Sequence, residues 1–173
     1  SGATIQNVGV KDGAVTAVHA GGIVGKAVST TLTDVYNAGV SVEAIDNGTD
    51  YGGFSAGGII GYADGSQIEK VYNTGNVKGD GAGLIGCVVN GTHLMNAYNT
   101  GVATYAFISY APPGDTSSNI SYAYATNGNP DSSFYAGPLD SNTVFSVTST
   151  SKDTSLKTYK DKNFSISSSG SDN

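Results

Sequence analysis

The sequence predicts an all-β fold: a parallel β-solenoid, wound as a right-handed β-helix of about 4–5 coils with a short C-terminal cap. Three observations carry that expectation. One short segment recurs along the chain, a glycine-rich segment alternates with it, and the apolar runs are too short for helices.

The first segment is clearest as Leu32-Thr33-Asp34-Val35-Tyr36-Asn37-Ala38-Gly39-Val40, Ile68-Glu69-Lys70-Val71-Tyr72-Asn73-Thr74-Gly75 and Leu94-Met95-Asn96-Ala97-Tyr98-Asn99-Thr100-Gly101. A decayed copy, Ile120-Ser121-Tyr122-Ala123-Tyr124-Ala125, puts Ala125 where the others have Asn, and a truncated copy, Ile5 to Val10, opens the chain. The second segment appears as Gly21-Gly22-Ile23-Val24-Gly25, Gly57-Gly58-Ile59-Ile60-Gly61 and Gly83-Leu84-Ile85-Gly86, with Ala106-Phe107-Ile108-Ser109 as a glycine-free copy. Equivalent tyrosines are separated by 36, 26 and 26 residues. The longer first interval places an insertion at residues 44–53, expected to bulge from one coil as a loop.

Each element has a local reason. Val, Ile, Tyr and Thr suit a pleated surface, and Gly, Asn and Asp at the run ends suit corners. A single unit cannot bury its apolar face, but stacking units about 4.8 Å apart encloses a narrow core. Recurrent Asn37, Asn73 and Asn99 predict a side-chain amide ladder, and Tyr36, Tyr72, Tyr98 and Tyr124 predict a column of rings. Strict alternation would set Lys70 on the same face as Ile68 and Tyr72. A bulge near Lys70 resolves this, turning Ile68 and Val71 inward and Tyr72 outward or to a flank. Residues 1–145 are assigned to the repeat array and 146–164 to a cap with a short helix around Leu156 and Tyr159. Residues 165–173 are assigned to a linker or disordered end.

Composition narrows the partners. The 14 acidic and 8 basic residues give a net charge of −6, and every basic residue is Lys. Without the Arg fork or a basic stripe, nucleic acid is not an expected partner. Cys87 is the single cysteine, so no intrachain disulfide forms. No run of 18 apolar residues occurs, so no membrane insertion is expected within this segment. The opening Ser1-Gly2-Ala3-Thr4-Ile5 has no signal-peptide character and is taken as a cut within a longer chain with flanking domains.

The alternation of Gly-Gly-Ile-Val-Gly with Val-Tyr-Asn-Thr-Gly resembles the GLUG motif, carried most clearly by Gly22 to Gly25, Gly58 to Gly61 and Gly83 to Gly86 over roughly residues 5–130. GLUG repeats occur in bacterial surface adhesins, filamentous-haemagglutinin-like proteins and the IgA-specific metallo-endopeptidase family. The resemblance implies a secreted or cell-surface stalk that presents loops to a protein or glycan on a host or bacterial surface. It also admits an accessory, substrate-positioning role beside a peptidase. The zinc motif of those peptidases, His-Glu-x-x-His, is missing here, so the resemblance brings no catalysis with it.

Chemistry-bearing residues are few. His19 and His93 lack metal-ligand spacing, and Cys87 has no basic neighbour in sequence. Parallel β-helices host polysaccharide-active enzymes, yet paired carboxylates are hard to find: only Glu43 and Glu69 occur, and most Asp residues sit in turn contexts. No cofactor is expected. The oxygen-rich Asp46-Asn47-Gly48-Thr49-Asp50 stretch could wrap calcium, but lacks EF-hand and β-roll spacing, and a hydrogen-bonded turn is the simpler reading. Binding is therefore expected on two loops, one with Asp46, Asn47, Asp50 and Tyr51, the other with Tyr105, Tyr110 and the Ala111–Asp115 stretch. The repeat residues Tyr36, Asn37, Gly39, Tyr72, Asn73, Gly75, Tyr98, Asn99 and Gly101 are assigned structural roles. The same holds for Gly22, Gly25, Gly58, Gly61, Gly83 and Gly86.

Overall fold

The computed structural model describes residues 1–46, 55–112 and 114–125. Asn47, Asp50, Tyr51, the C-terminal cap and the terminal segment lie outside the described residues. Those described form an all-β protein with no helix. The strands are β1 (Thr4–Lys11), β2 (Ala14–Ala17), β3 (His19–Gly21), β4 (Val24–Val28), β5 (Thr31–Ala38), β6 (Ser41–Ala44) and β7 (Ser55–Gly57). They continue as β8 (Ile60–Asp64), β9 (Gln67–Asn73), β10 (Val77–Lys78), β11 (Ile85–Val89), β12 (His93–Asn99), β13 (Ile108–Tyr110) and β14 (Asn119–Ala125).

These strands make four sheets, ordered β1-β5-β9-β12-β14, β10-β6-β2, β13-β11-β8-β4 and β3-β7. Every ladder is parallel. In chain order the first two circuits visit the first sheet, then the second, the fourth and the third, and return to the first one rung further on; β9-β10-β11 repeats this cycle without the β3-β7 sheet, and β12-β13 without the β10-β6-β2 sheet as well. Like pairs with like: Leu32 with Ile68, Ile68 with Leu94, and Leu94 with Ile120. The insertion also falls into place. Ala17 pairs with Ala44 and His19 with Ser55, so one residue joins β2 to β3 where residues 45–54 join β6 to β7.

Two apolar clusters fill the interior. The larger packs Leu32, Val35, Ile68, Val71, Leu94, Ala97, Ile120 and Ala123 of the long sheet against Ile60, Ala63, Ile85, Val88 and Ile108. The smaller holds Ala20, Val40, Val42, Ala56 and Val77. Residues three apart, Ile68 and Val71, both reach the core because Lys70 between them adopts φ 54° and breaks the alternation. Asn7, Asp34, Asn96 and Tyr122 do the same in the other turns, with φ between 51° and 56°. This is the bulge the sequence required. The outward option for Tyr72 is corrected: the ring is only 7% exposed, lies outside both apolar clusters, and occupies a flank.

Tyr105 and Tyr110 do not sit on a free loop. Tyr105 bridges to Ala82, and Tyr110 ends β13 opposite Cys87. The glycine-free copy is a true repeat, since Ile85 pairs with Ile108 and the amides of Leu84 and Ile85 donate to the Phe107 carbonyl.

Candidate functional site: two ladders and an aromatic face

The amide column occupies one corner of three successive turns. Asn37 accepts from the Val40 amide at 2.8 Å and donates to the carbonyls of Val40 and Gly58 at 3.1 and 3.0 Å. Asn73 and Asn99 accept from the amides of Gly75 and Gly101 and donate to the same glycines' carbonyls. Asn73 Nδ2 also donates to Asn99 Oδ1 at 2.9 Å, linking two turns. All three side chains are buried, so each bond satisfies a group that water cannot reach.

The two sequence motifs meet here. A Cβ built on Gly22, Gly58 or Gly83 would collide with the amide of Asn37, Asn73 or Asn99 respectively. The middle glycine is the space into which the asparagine fits. Gly75 and Gly101 are needed for a related reason, because a Cβ there would strike the carbonyl of Val40 or Gly75 in the turn below. Gly25, Gly61 and Gly86 press against backbone atoms of the β3 and β7 strands. Gly39, with φ 94°, supplies a left-handed turn instead.

A second ladder escaped sequence reasoning. Thr30, Ser66, Thr92 and Ser118 are buried at the corner preceding the long sheet. The amide of Thr30 donates to Ser66 Oγ at 3.1 Å, that of Ser66 to Thr92 Oγ1 at 3.3 Å, and that of Thr92 to Ser118 Oγ at 3.0 Å. Each hydroxyl stands two residues before the repeat's Leu or Ile, a Thr/Ser recurrence that could have revealed it. Asp115 finishes this ladder, accepting from Ser118 Oγ at 2.6 Å, Ser117 Oγ at 2.7 Å and both backbone amides. Partial burial pushes its carboxyl upward, but the bonds from Ser118 and Ser117 outweigh that and leave its pKa lowered.

The tyrosine column is partly stacked: Tyr36 and Tyr72 lie 5.0 Å apart and within 6° of parallel. It starts over Gly9, the register partner of Tyr36, where any Cβ would strike the ring. Burial pushes the Tyr98 phenol up to about 12.

A different column runs along the β4-β8-β11-β13 sheet: Lys26, Tyr62, Cys87 and Tyr110. Lys26 Nζ lies 5.0 Å over the Tyr62 ring, and the His19 ring packs against Tyr62 at 5.2 Å. His19 Nδ1 is 3.1 Å from Ser55 Oγ. Burial, with a contribution from Lys26, lowers the His19 pKa; burial, Cys87 and Asp64 raise that of Tyr62. Burial first and Asp115 second push the Cys87 thiol up to about 12, which keeps it protonated and unreactive.

Of the expected loop residues, Asp46 follows β6 and is exposed, while Tyr105 and Tyr110 are half-buried on two other elements. Among the described residues, no group of three or more His, Cys, Asp or Glu could hold a metal ion.

Residues 52–78 match the family model described as the GLUG motif. No curated protein and no solved structure matches the chain. The matched stretch takes in Gly57 to Gly61 and Val71 to Asn73, whose register partners carry the same pattern into the neighbouring turns; the chain carries a GLUG motif at residues 52–78.

Proposed function

We propose that this chain is a parallel β-solenoid acting as a rigid, non-catalytic scaffold in an exported bacterial surface protein, presenting its outer faces and loops to a protein or glycan. The observation that supports it is the cyclic strand order with like residues in register, which makes each turn a rung of one continuous stack. Five rungs spaced by about 4.8 Å give a stack roughly 20 Å long. Its connections are expected to be right-handed, as parallel crossovers nearly always are. Buried amide and hydroxyl ladders give stiffness that an apolar core this thin cannot supply alone.

The asparagines, serines and threonines of the corner ladders are engaged by backbone groups, by one another and by Asp115. That supports binding over turnover. The test pairs two measurements on the intact chain: a glycan and extracellular-protein binding array, and product release from neutral and acidic polysaccharides. Selective binding without product release is the expected result. Release of oligosaccharide would overturn the non-catalytic reading, and the absence of any selective partner would overturn the scaffold role.

A further inference from the structure

The polar and aromatic groups that the ladders do not use gather at one place. Between β3 and β4 the chain folds back so tightly that a Cβ on Gly25 would crowd the His19 carbonyl, and this bend brings His19 beside the Lys26–Tyr62 column. Ser55, 6% exposed, holds His19 Nδ1, leaving the imidazole Nε2 edge for a ligand. Lys26 is exposed, rests over Tyr62, and makes no ion pair among the described residues, whereas Lys78 is paired with Glu43 at 3.3 Å. The neighbouring carboxylate of Asp64 is already engaged by Asn90 Nδ2 at 2.9 Å. Two successive turns thus hold a cation, a phenol ring and an oriented imidazole together, on a chain whose net charge is otherwise negative.

We propose that His19, Lys26 and Tyr62 form a binding site for a carboxylate-bearing sugar residue of an acidic glycan. The carboxylate meets Lys26, the ring of the sugar lies against the Tyr62–His19 pair, and a sugar hydroxyl bonds the free imidazole edge. A glycan suits this surface better than an acidic peptide because the Tyr62–His19 ring pair, with centroids 5.2 Å apart, offers aromatic faces for a sugar ring to lie against. Lys26 stands on β4, the terminal strand of its sheet, so an acidic peptide pairing with that edge is the alternative that the polyglutamate comparison tests. The proposal rests on the scaffold reading and names its ligand class and contact point.

The experiment is an NMR titration of the isotopically labelled intact chain with tetragalacturonate, and with a neutral galactose tetrasaccharide as comparison. The His19 and Tyr62 ring resonances should move with tetragalacturonate. Lys26→Gln should weaken that binding by roughly tenfold, the loss expected for one charge-assisted contact, while Lys78→Gln leaves it unchanged. Unaltered affinity in Lys26→Gln overturns the proposal, as does an equal response to a polyglutamate peptide. Tetragalacturonate shifts mapping elsewhere on the chain also sink this site while sparing the scaffold reading. That reading fails only when no glycan or protein binds at all.

Discussion

Two successive turns, the third from Ala82 to Asn99 and the fourth from Tyr105 to Ala125, are built on the same plan and closed differently. In the third, Gly83 makes room for Asn99, and the single Thr92 hydroxyl proton lies within reach of the carbonyls of both Val89 and Ala63. In the fourth, the glycine's place is taken by Ala106 and the asparagine's by Ala125, while the Ser118 hydroxyl turns to the Asp115 carboxylate. Loss of the amide and gain of a methyl on the opposite wall occur together. The glycine and the asparagine are therefore one device: a large buried amide on one strand, a missing side chain facing it. Where the device is absent the turn still forms, because the apolar pairs Ile85–Ile108 and Leu94–Ile120 carry the stack without it.

That comparison can be broken most directly at the pair itself. Gly83→Ala should cost about 3 kcal/mol, since the new methyl has no room beside Asn99. Asn99→Ala should cost about 2 kcal/mol by stranding the Asn73 donor and leaving the Gly101 amide with only its longer bond to the Asn73 carbonyl. The double variant reproduces the fourth turn's pairing and should fall short of the sum by at least about 1 kcal/mol in urea unfolding. Strict additivity would mean that the two positions are independent.

Next in size is the hydroxyl ladder. Thr92→Val, nearly isosteric, should cost about 1–2 kcal/mol because the buried Ser66 amide loses its acceptor. Ser118→Ala strands the buried Thr92 amide in the same way and also releases Asp115, so it should cost at least as much as Thr92→Val. A clearly smaller loss for Ser118→Ala in chemical denaturation would argue that the hydroxyl ladder does not bear on the fourth turn.

A smaller effect should appear in acid. The folded pKa of Asp115 is lowered, so its contribution is complete above the unfolded carboxyl value of about 3.9 and is lost as pH falls through the folded value. Thermal unfolding measured across that acidic window should show a decline that Asp115→Asn flattens, whereas changes in the second and third turns leave its shape intact.

The smallest signal is kinetic. Cys87 of the third turn is covered in register by Tyr110 of the fourth, and its thiol is held at about 12. At neutral pH a thiol reagent should label it only when the fourth turn opens. Labelling faster than global unfolding, and faster still in Ser118→Ala, would place the fourth turn among the less stable parts of the stack.

Much of this was legible before any coordinates. The recurrence of Tyr36, Tyr72, Tyr98 and Tyr124 placed these residues in one column, and the ten extra residues before Tyr72 located the insertion between β6 and β7. The conflict at Lys70 demanded a break in alternation, and φ 54° is that break. The hydroxyl ladder stayed hidden because Thr30, Ser66, Thr92 and Ser118 are small polar residues beside turn signals, and attention to apolar periodicity passes over them. The loop assignment of Tyr105 and Tyr110 failed because the prolines after them were given more weight than the repeat that contains them.

The sequence by itself determined what repeats and therefore what stacks, since in-register parallel pairing brings each residue against its own equivalent one turn away. Only the tertiary structure decided what lies across the interior and around the bends: that Gly83 faces Asn99, and that His19 turns back onto Tyr62 and Lys26. Periodicity along a chain specifies neighbours along the stack. Contacts across it depend on how sharply each corner folds, and that angle is set by backbone sterics that no spacing of residues records.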